Sequence, residues 1–247
     1  MDAYLIHDVP ATGTWNMAMD EALVEWAGRT GGTCLRFYQW SPATLSLGYF
    51  QTITSRQSHS ASRDIPLVRR ASGGGAIIHD RELTYSLVFP VTHRFAPQAQ
   101  SLVRRFHGSL IAVLETHGIQ AGLCGSSHQL PREKEPFLCF LRRAPEDVLV
   151  SDHKVAGSAQ RRHRGAVLQH GSILLDRSDF ATELPGIAQA AGVDLSLAWL
   201  GSALRDELAR RLKWQFRTWQ PAGDLLDRAH WWETNRFATA SWNHKRE

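Results

Sequence analysis

Residues 69–86 read RRASGGGAIIHDRELTYS, with three successive glycines, Gly73, Gly74 and Gly75, set between two apolar runs. Glycine alone tolerates positive φ and lets backbone approach a ligand that a Cβ would repel. The triplet by itself fits a bulge or a tight strand bend as well as a ligand cradle. It matches neither phosphate-binding pattern, G-x-x-x-x-G-K-[ST] or G-x-G-x-x-G.

The run from Leu67 to Arg70 leads into the glycines. After them, residues 76–80 (AIIHD) and 83–90 (LTYSLVFP) read as strands joined at Arg81 and Glu82, and Leu83, Tyr85, Leu87 and Phe89 share one face at period two. Upstream, TCLRFYQW (33–40) sets Leu35 and Phe37 opposite Arg36 and Tyr38, and TLSLGYF (44–50) follows a turn at Ser41 and Pro42. A helix is expected over Ala11 to Trp26, starting near Trp15 with Thr14 as its N-cap. Downstream, Leu102, Val103, Phe106, Leu110, Ile111 and Leu114 form an amphipathic helix over 101–117 with Gly118 as C-cap. Residues 122–137 collect Gly, Ser, His, Pro and charge, the composition of a long exposed loop. DVLVSD, HKVAGSAQ and AVLQHGSILLD then read as three antiparallel strands turning at 151–153 and 161–164. Leu204, Leu208 and Leu212 mark a helix, and another begins near Asp224. The expectation is an α+β fold, a mixed, largely antiparallel sheet flanked by helices, with residues 1–247 forming one domain.

Composition is that of an ordinary globular protein, with 43% hydrophobic and 21% charged residues, which excludes a disordered chain or a coiled coil. The amino terminus has no apolar signal region, and no run approaches the ~20 apolar residues that span a bilayer, so the expected location is cytoplasmic. Net charge is +4, spread over the chain, which suits an acidic partner, whether a carrier protein or nucleic acid. The three cysteines, Cys34, Cys124 and Cys139, are widely spaced, and none of the twelve histidines falls into a metal-binding spacing.

Two residues stand out as candidate chemistry. Lys154, beside a predicted turn in HKVAGSAQ, can hold a carboxylate, phosphate or thioester carbonyl as a point charge, although lone lysines usually face solvent. Cys139, between Leu138 and Phe140, reads first as a small buried hydrophobe and second as a nucleophile, with Lys134, Arg142 and Arg143 nearby to favour a thiolate. His79 and His170 lie on predicted strands beside these motifs, and histidines there are more often packed than catalytic.

Taken together, NMAMDEAL (16–23), RFYQWSPATLSLGYFQ (36–51), the glycine stretch, KVAGSAQRRHRGAVLQHGSILLD (154–176) and SWNHKR (241–246) resemble, in order, the biotin and lipoate protein ligase superfamily. The segment PFLCFLRRAPEDVLVSDHKVAGSAQ (136–160) is similar to its cysteine-dependent octanoyltransferase branch. That resemblance implies transfer of an octanoyl group from octanoyl-acyl carrier protein to a lysine of a lipoyl domain, such as glycine cleavage H protein or a 2-oxoacid dehydrogenase E2. It implies Cys139 as the acyl-accepting nucleophile and Lys154 as the lysine lining the acyl site. Arg69, Arg70, Ser72, Gly73, Gly74, Gly75, Ile77 (with Ile78) and His79 are the implied substrate contacts on one side, and Gly157, Ser158, Ala159 and His170 those on the other. No metal, cofactor, nucleic acid or membrane is implied, and thioester exchange followed by amide formation needs no ATP. Gly75 is more like the ATP-dependent lipoate ligases, since octanoyltransferases often carry a larger basic residue there, and the loop before Cys139 is short for that branch. Ligation with ATP and octanoyl amidotransfer between lipoyl domains remain the alternatives on this fold, and a non-catalytic carrier- or nucleic-acid-binding module the alternative of another class.

Overall fold

The computed structural model describes residues 1–125 and 135–246. Lys134 and most of the expected 122–137 loop lie outside the described residues. The chain runs β1 (Asp2–His7), α1 (Gly13–Thr30), β2 (Cys34–Tyr38), β3 (Thr44–Leu47), β4 (Leu67–Arg69), β5 (Ile77–His79), β6 (Glu82–Pro90), α2 (Ala99–Thr116) and β7 (Ala121–Leu123). It continues with β8 (Val148–Val150), β9 (His153–His163), β10 (Ala166–Leu174), α3 (Ile187–Ala191), α4 (Leu197–Leu212), β11 (Gln215–Thr218), α5 (Asp224–Trp232) and α6 (Ala240–Asn243). Eight strands form one sheet in the order β11-β1-β2-β6-β10-β9-β8-β7, and β4-β3-β5 form a second. β1 pairs parallel with β2 and β11, and β3 with β4; the other pairings are antiparallel. The expected α+β architecture is the one observed.

Strand alternation divides the core. Leu35 and Phe37 of β2 join Leu83, Tyr85, Leu87 and Phe89 of β6 in a cluster closed by α2 and α4. Cys34 and Tyr38 point the other way, into a cluster with α1 and α5. β2 is therefore buried on both faces. That requires Arg36, fully buried, to be paired: it meets Asp8 at 2.6 Å, Asp20 at 3.0 Å and Asn16 Oδ1 at 2.8 Å.

Several local expectations are corrected. α1 starts earlier than expected because Thr12, not Thr14, accepts from the Trp15 N–H, at 3.3 Å. The Thr14 hydroxyl donates instead to Glu233 Oε1, at 2.7 Å. α2 ends at Thr116 with His117 as its cap, and Gly118 follows in the left-handed region. Gly122 and Leu123, read as the start of the loop, belong instead to β7, paired with β8. β9 runs on to His163 because Arg164 and Gly165, both at positive φ, complete a two-residue hairpin turn. β11 and α3 had no clear pattern in the sequence: β11 is a four-residue, mostly polar edge strand held by pairing with β1.

Replacing Arg36 with Leu leaves the Asp20 carboxylate in the core without its cation. The expected loss is about 3–5 kcal/mol of unfolding free energy, read from the urea midpoint; an unchanged midpoint would show that the guanidinium is dispensable.

Candidate active site

β4 ends at Arg69, and Arg70 turns its side chain back under the glycines. Its guanidinium donates to Ser46 O (3.1 Å), Ser46 Oγ (3.1 Å), Gly73 O (2.9 Å) and Gly75 O (2.6 Å). Burial lowers its pKa to about 10, so it remains a cation at neutral pH. Gly74 has φ 97°. The loop also lies against Gly48, where a Cβ would fall 1.9 Å from Gly74 O.

The chain carrying Cys139 is laid along this loop. Ala76 N–H donates to Phe137 O (2.9 Å) and Cys139 N–H to Ala76 O (2.7 Å), and Cys139 opens a single 3₁₀ turn, Cys139–Leu141. A Cβ at Gly74 would stand 3.8 Å from Cys139 Sγ, so the thiol lies over the glycines. At Gly75 a Cβ would meet Cys139 Cα at 3.0 Å and Arg142 Nε at 2.9 Å. Arg142 thus fills the space a larger residue at position 75 would take.

Lys154, the second residue of β9, is brought to the same turn. Its Nζ lies 2.8 Å from Asp147 Oδ2 and donates to Cys139 O (3.2 Å) and Arg142 O (3.3 Å). Both side chains of the Lys154–Asp147 pair are buried. Gly157 leaves room for the pair, since its Cβ would fall 2.8 Å from Lys154 Cε and 3.2 Å from Asp147 Oδ1. Asp147 was not a candidate from the sequence; an acidic residue seven positions before the lysine becomes its partner only through the β8–β9 turn.

Cys139 and Lys154 face one cavity of about 430 Å³, within the size range of small-molecule sites. Arg70, the three glycines, Ile77 and His79 form one part of its wall, with Gly157, Ser158, Ala159 and His170 in another, and Met17 and Trp40 also line it. Arg69 and Ser72 do not. The Arg69 guanidinium is taken up by Gly48 O (3.0 Å), Gln51 O (2.6 Å) and Asn243 O (2.9 Å), which ties the carboxy-terminal SWNHKR segment to β4. Ser72 Oγ stands behind the wall, 2.5 Å from His170 Nε2. Ile78 belongs to the small-sheet core rather than the wall.

The histidines at the wall are anchored by neighbours. His79 stacks on Trp40 at 3.7 Å between rings, with Nδ1 2.5 Å from Glu82 Oε1 and Nε2 2.7 Å from Ser46 Oγ; burial lowers its pKa. His170 Nδ1 lies 3.4 Å from Asp20 Oδ2. Burial pushes the Asp20 carboxyl up, but His170 and Arg36 outweigh it and hold that carboxyl below its ordinary range. Arg142 and Arg143 are engaged by Glu135 and Asp152, respectively. Cys34 is buried in the α1-side core, and burial pushes its thiol up, so it does not compete as a nucleophile. Cys124, at the end of β7, does not line the cavity. Among the described residues no group of three or more His, Cys, Asp or Glu is placed to hold a metal.

Comparison with known proteins finds relatives along most of the chain. The model of the lipoyl protein ligase A/B catalytic domain matches residues 12–190. The octanoyltransferase LipM of Lysinibacillus sphaericus is 30% identical, over 98% of this chain and 99% of its own. That of Anoxybacillus flavithermus is 32% identical over 94% of each. Among solved structures, the bipartite lipoate protein ligase of Thermoplasma acidophilum, described with its E2 lipoyl domain, superposes with a TM-score of 0.78 at 21% identity, covering 99% of this chain and 96% of that one. At that identity the likeness is one of fold.

Gly48→Ala tests the packing under the cysteine. The added methyl must displace the Gly74 carbonyl, with an expected cost of roughly 1–3 kcal/mol and a changed rate of Cys139 alkylation by iodoacetamide. Native stability with native alkylation kinetics would show that the loop does not position the thiol.

Proposed function

The chain belongs to the lipoyl protein ligase A/B catalytic-domain family, and we propose that Cys139 takes an octanoyl group from octanoyl-acyl carrier protein and passes it to a lipoyl-domain lysine. The activity is octanoyl transfer in protein lipoylation, that of the LipM relatives. One observation carries the cysteine route: Cys139 lies over the glycine loop on the wall of the cavity, with the Lys154 ammonium 3.2 Å from its carbonyl oxygen.

In the first half-reaction the Cys139 thiolate attacks the carrier thioester, a new C–S bond forms, and the carrier leaves as its thiolate. Two thioesters are close in free energy, so this exchange is reversible. In the second, the acceptor ε-amine attacks octanoyl-Cys139, the C–N bond forms, and the Cys139 sulfur leaves. Amide formation drives the sequence without ATP. Lys154 supplies positive charge for the tetrahedral oxyanion by exchanging one of its two carbonyl acceptors for it, and backbone amides of the glycine loop add to that field. The octanoyl tail lies along Ile77, Met17 and Trp40, gaining roughly 0.8 kcal/mol per buried CH₂.

The acceptors in this reading are lipoyl domains such as glycine cleavage H protein or a dehydrogenase E2, and the net charge of +4 favours encounter with acidic carriers. The contacts from SWNHKR to Arg69 support treating the whole chain as one catalytic unit. A thiol nucleophile suits a reducing compartment, which makes the cytoplasm the proposed location; among the described residues no helix is long and apolar enough to cross a membrane.

Intact-protein mass spectrometry after mixing with octanoyl-acyl carrier protein, without ATP, tests the route. The wild type should gain one hydroxylamine-labile octanoyl group, and Cys139→Ser should lose it or hold it as a stable ester, with transfer reduced at least roughly a thousandfold. Lys154→Ala should retain the thiol but slow transfer by roughly 10²–10³. Lipoate attachment that requires ATP and survives Cys139→Ser would replace this reading with ligation.

A further inference from the structure

A chain of buried polar groups reaches the cavity wall at Ser158. Ser158 of β9 is half-buried and lines the cavity. Its Oγ lies 2.6 Å from His107 Nε2 and 2.5 Å from the Tyr85 hydroxyl. His107, on α2, is almost fully buried, and its Nδ1 faces the backbone carbonyl of Glu146.

The proton positions follow by elimination. A carbonyl oxygen only accepts, so Nδ1 of His107 carries the hydrogen and the neutral ring presents a lone pair at Nε2. The Ser158 hydroxyl must therefore donate to His107. Gln160 Nε2 meets Ala99 O (2.7 Å) and Gln169 Oε1 (2.8 Å), which turns the Gln169 amide nitrogen toward Tyr85 at 2.9 Å. Tyr85 accepts from Gln169 and donates to Ser158. Ser158 Oγ is left with one lone pair beyond these two bonds and a neutral imidazole behind its proton.

We propose that Ser158 and His107 form the proton relay of the aminolysis step, a role that rests on the transfer reading above. When the acceptor amine adds to octanoyl-Cys139, its nitrogen becomes cationic and must lose a proton before the amide is stable. That proton passes to Ser158 Oγ as the Ser158 proton passes to His107 Nε2. The C–S bond then breaks, and the imidazolium returns a proton through Ser158 to the departing Cys139 thiolate. The balance is one amide formed, one thiol regenerated and a neutral His107. Formation of octanoyl-Cys139 exchanges one thiolate for another and has no amine proton to remove, so the relay acts in the second half-reaction alone.

His107 is suited to accept. Burial is the largest influence and lowers its pKa; the hydrogen bond to the Glu146 carbonyl and the charges of Asp147 and Glu146 oppose this, while Lys154 adds to it. The ring is thus neutral at neutral pH. Its proton-accepting form is lost only as pH falls through a value below 6.5. The carbonyl that His107 Nδ1 faces belongs to Glu146, the residue before Asp147, so the relay ends one residue from the pair that holds the Cys139 turn.

The test separates the two half-reactions by rapid quench and mass spectrometry, first with octanoyl-acyl carrier protein alone, then adding a lipoyl domain. Ser158→Ala and His107→Gln should form octanoyl-Cys139 within a few-fold of the wild-type rate but discharge it roughly a hundredfold more slowly. The wild-type discharge rate should show, beyond the slope set by ionisation of the acceptor amine, an acid-side inflection from His107 that is absent in both variants. Ser158→Ala removes one small hydroxyl from a strand and keeps the test available if His107→Gln fails to fold. Discharge of Ser158→Ala at the wild-type rate, or equal slowing of both half-reactions, overturns the relay while leaving the transfer reading intact. A wild type that never forms octanoyl-Cys139 overturns the transfer reading and the relay with it.

Discussion

The Arg70 guanidinium binds the carbonyl oxygens of Ser46, Gly73 and Gly75, and through them it fixes the loop on which the Cys139 segment is built. A loop of three glycines has high conformational entropy and no side chains to anchor it. Carbonyls from both ends of the triplet converge on one buried cation, so the loop acquires a single shape without a Cβ. The missing Cβ atoms then matter in their own right. Gly48 lets β3 touch the Gly74 carbonyl, and Gly75 lets Cys139 and Arg142 close over the loop. Cys139 is thus placed largely by backbone contacts with the loop.

Buried charge is used in the same way elsewhere. Arg36 with Asp20, and Lys154 with Asp147, are ionic contacts taken out of water, where pairing has to offset desolvation. Each ties one element of the fold to another. Arg36 joins β2 to α1, and Asp20 in turn reaches His170 on the cavity wall. Lys154 joins β9 to the Cys139 turn, so the ammonium that lines the cavity also holds the backbone of that turn.

The two faces of the large sheet divide the remaining work. The α1 and α5 side carries the Arg36 network and closes around Cys34. The α2 and α4 side carries the main core, from which His107 and Tyr85 reach Ser158 at the cavity. His107 had a detectable signal in the sequence: it falls four residues after Val103 and three before Leu110, inside the apolar stripe of α2, where an imidazole is out of place unless it has a buried partner.

Periodicity by itself determined the long elements, the faces of β2 and β6, and the helices around Leu110 and Leu208, because repeats of 2 and 3.6 residues are written into the chain. Ordered motifs determined the family and drew attention to Cys139 and Lys154. Tertiary structure alone decided that Arg69 and Ser72 stand behind the cavity wall while their neighbours face it, since a side chain's destination at a strand end depends on which carbonyls lie within reach. It also supplied Asp147 and His107, and the short elements β11 and α3. β11 and His107 owe their places to partners far along the chain and Asp147 to the turn that folds Lys154 back onto it, and one residue's local sequence carries no record of such a partner.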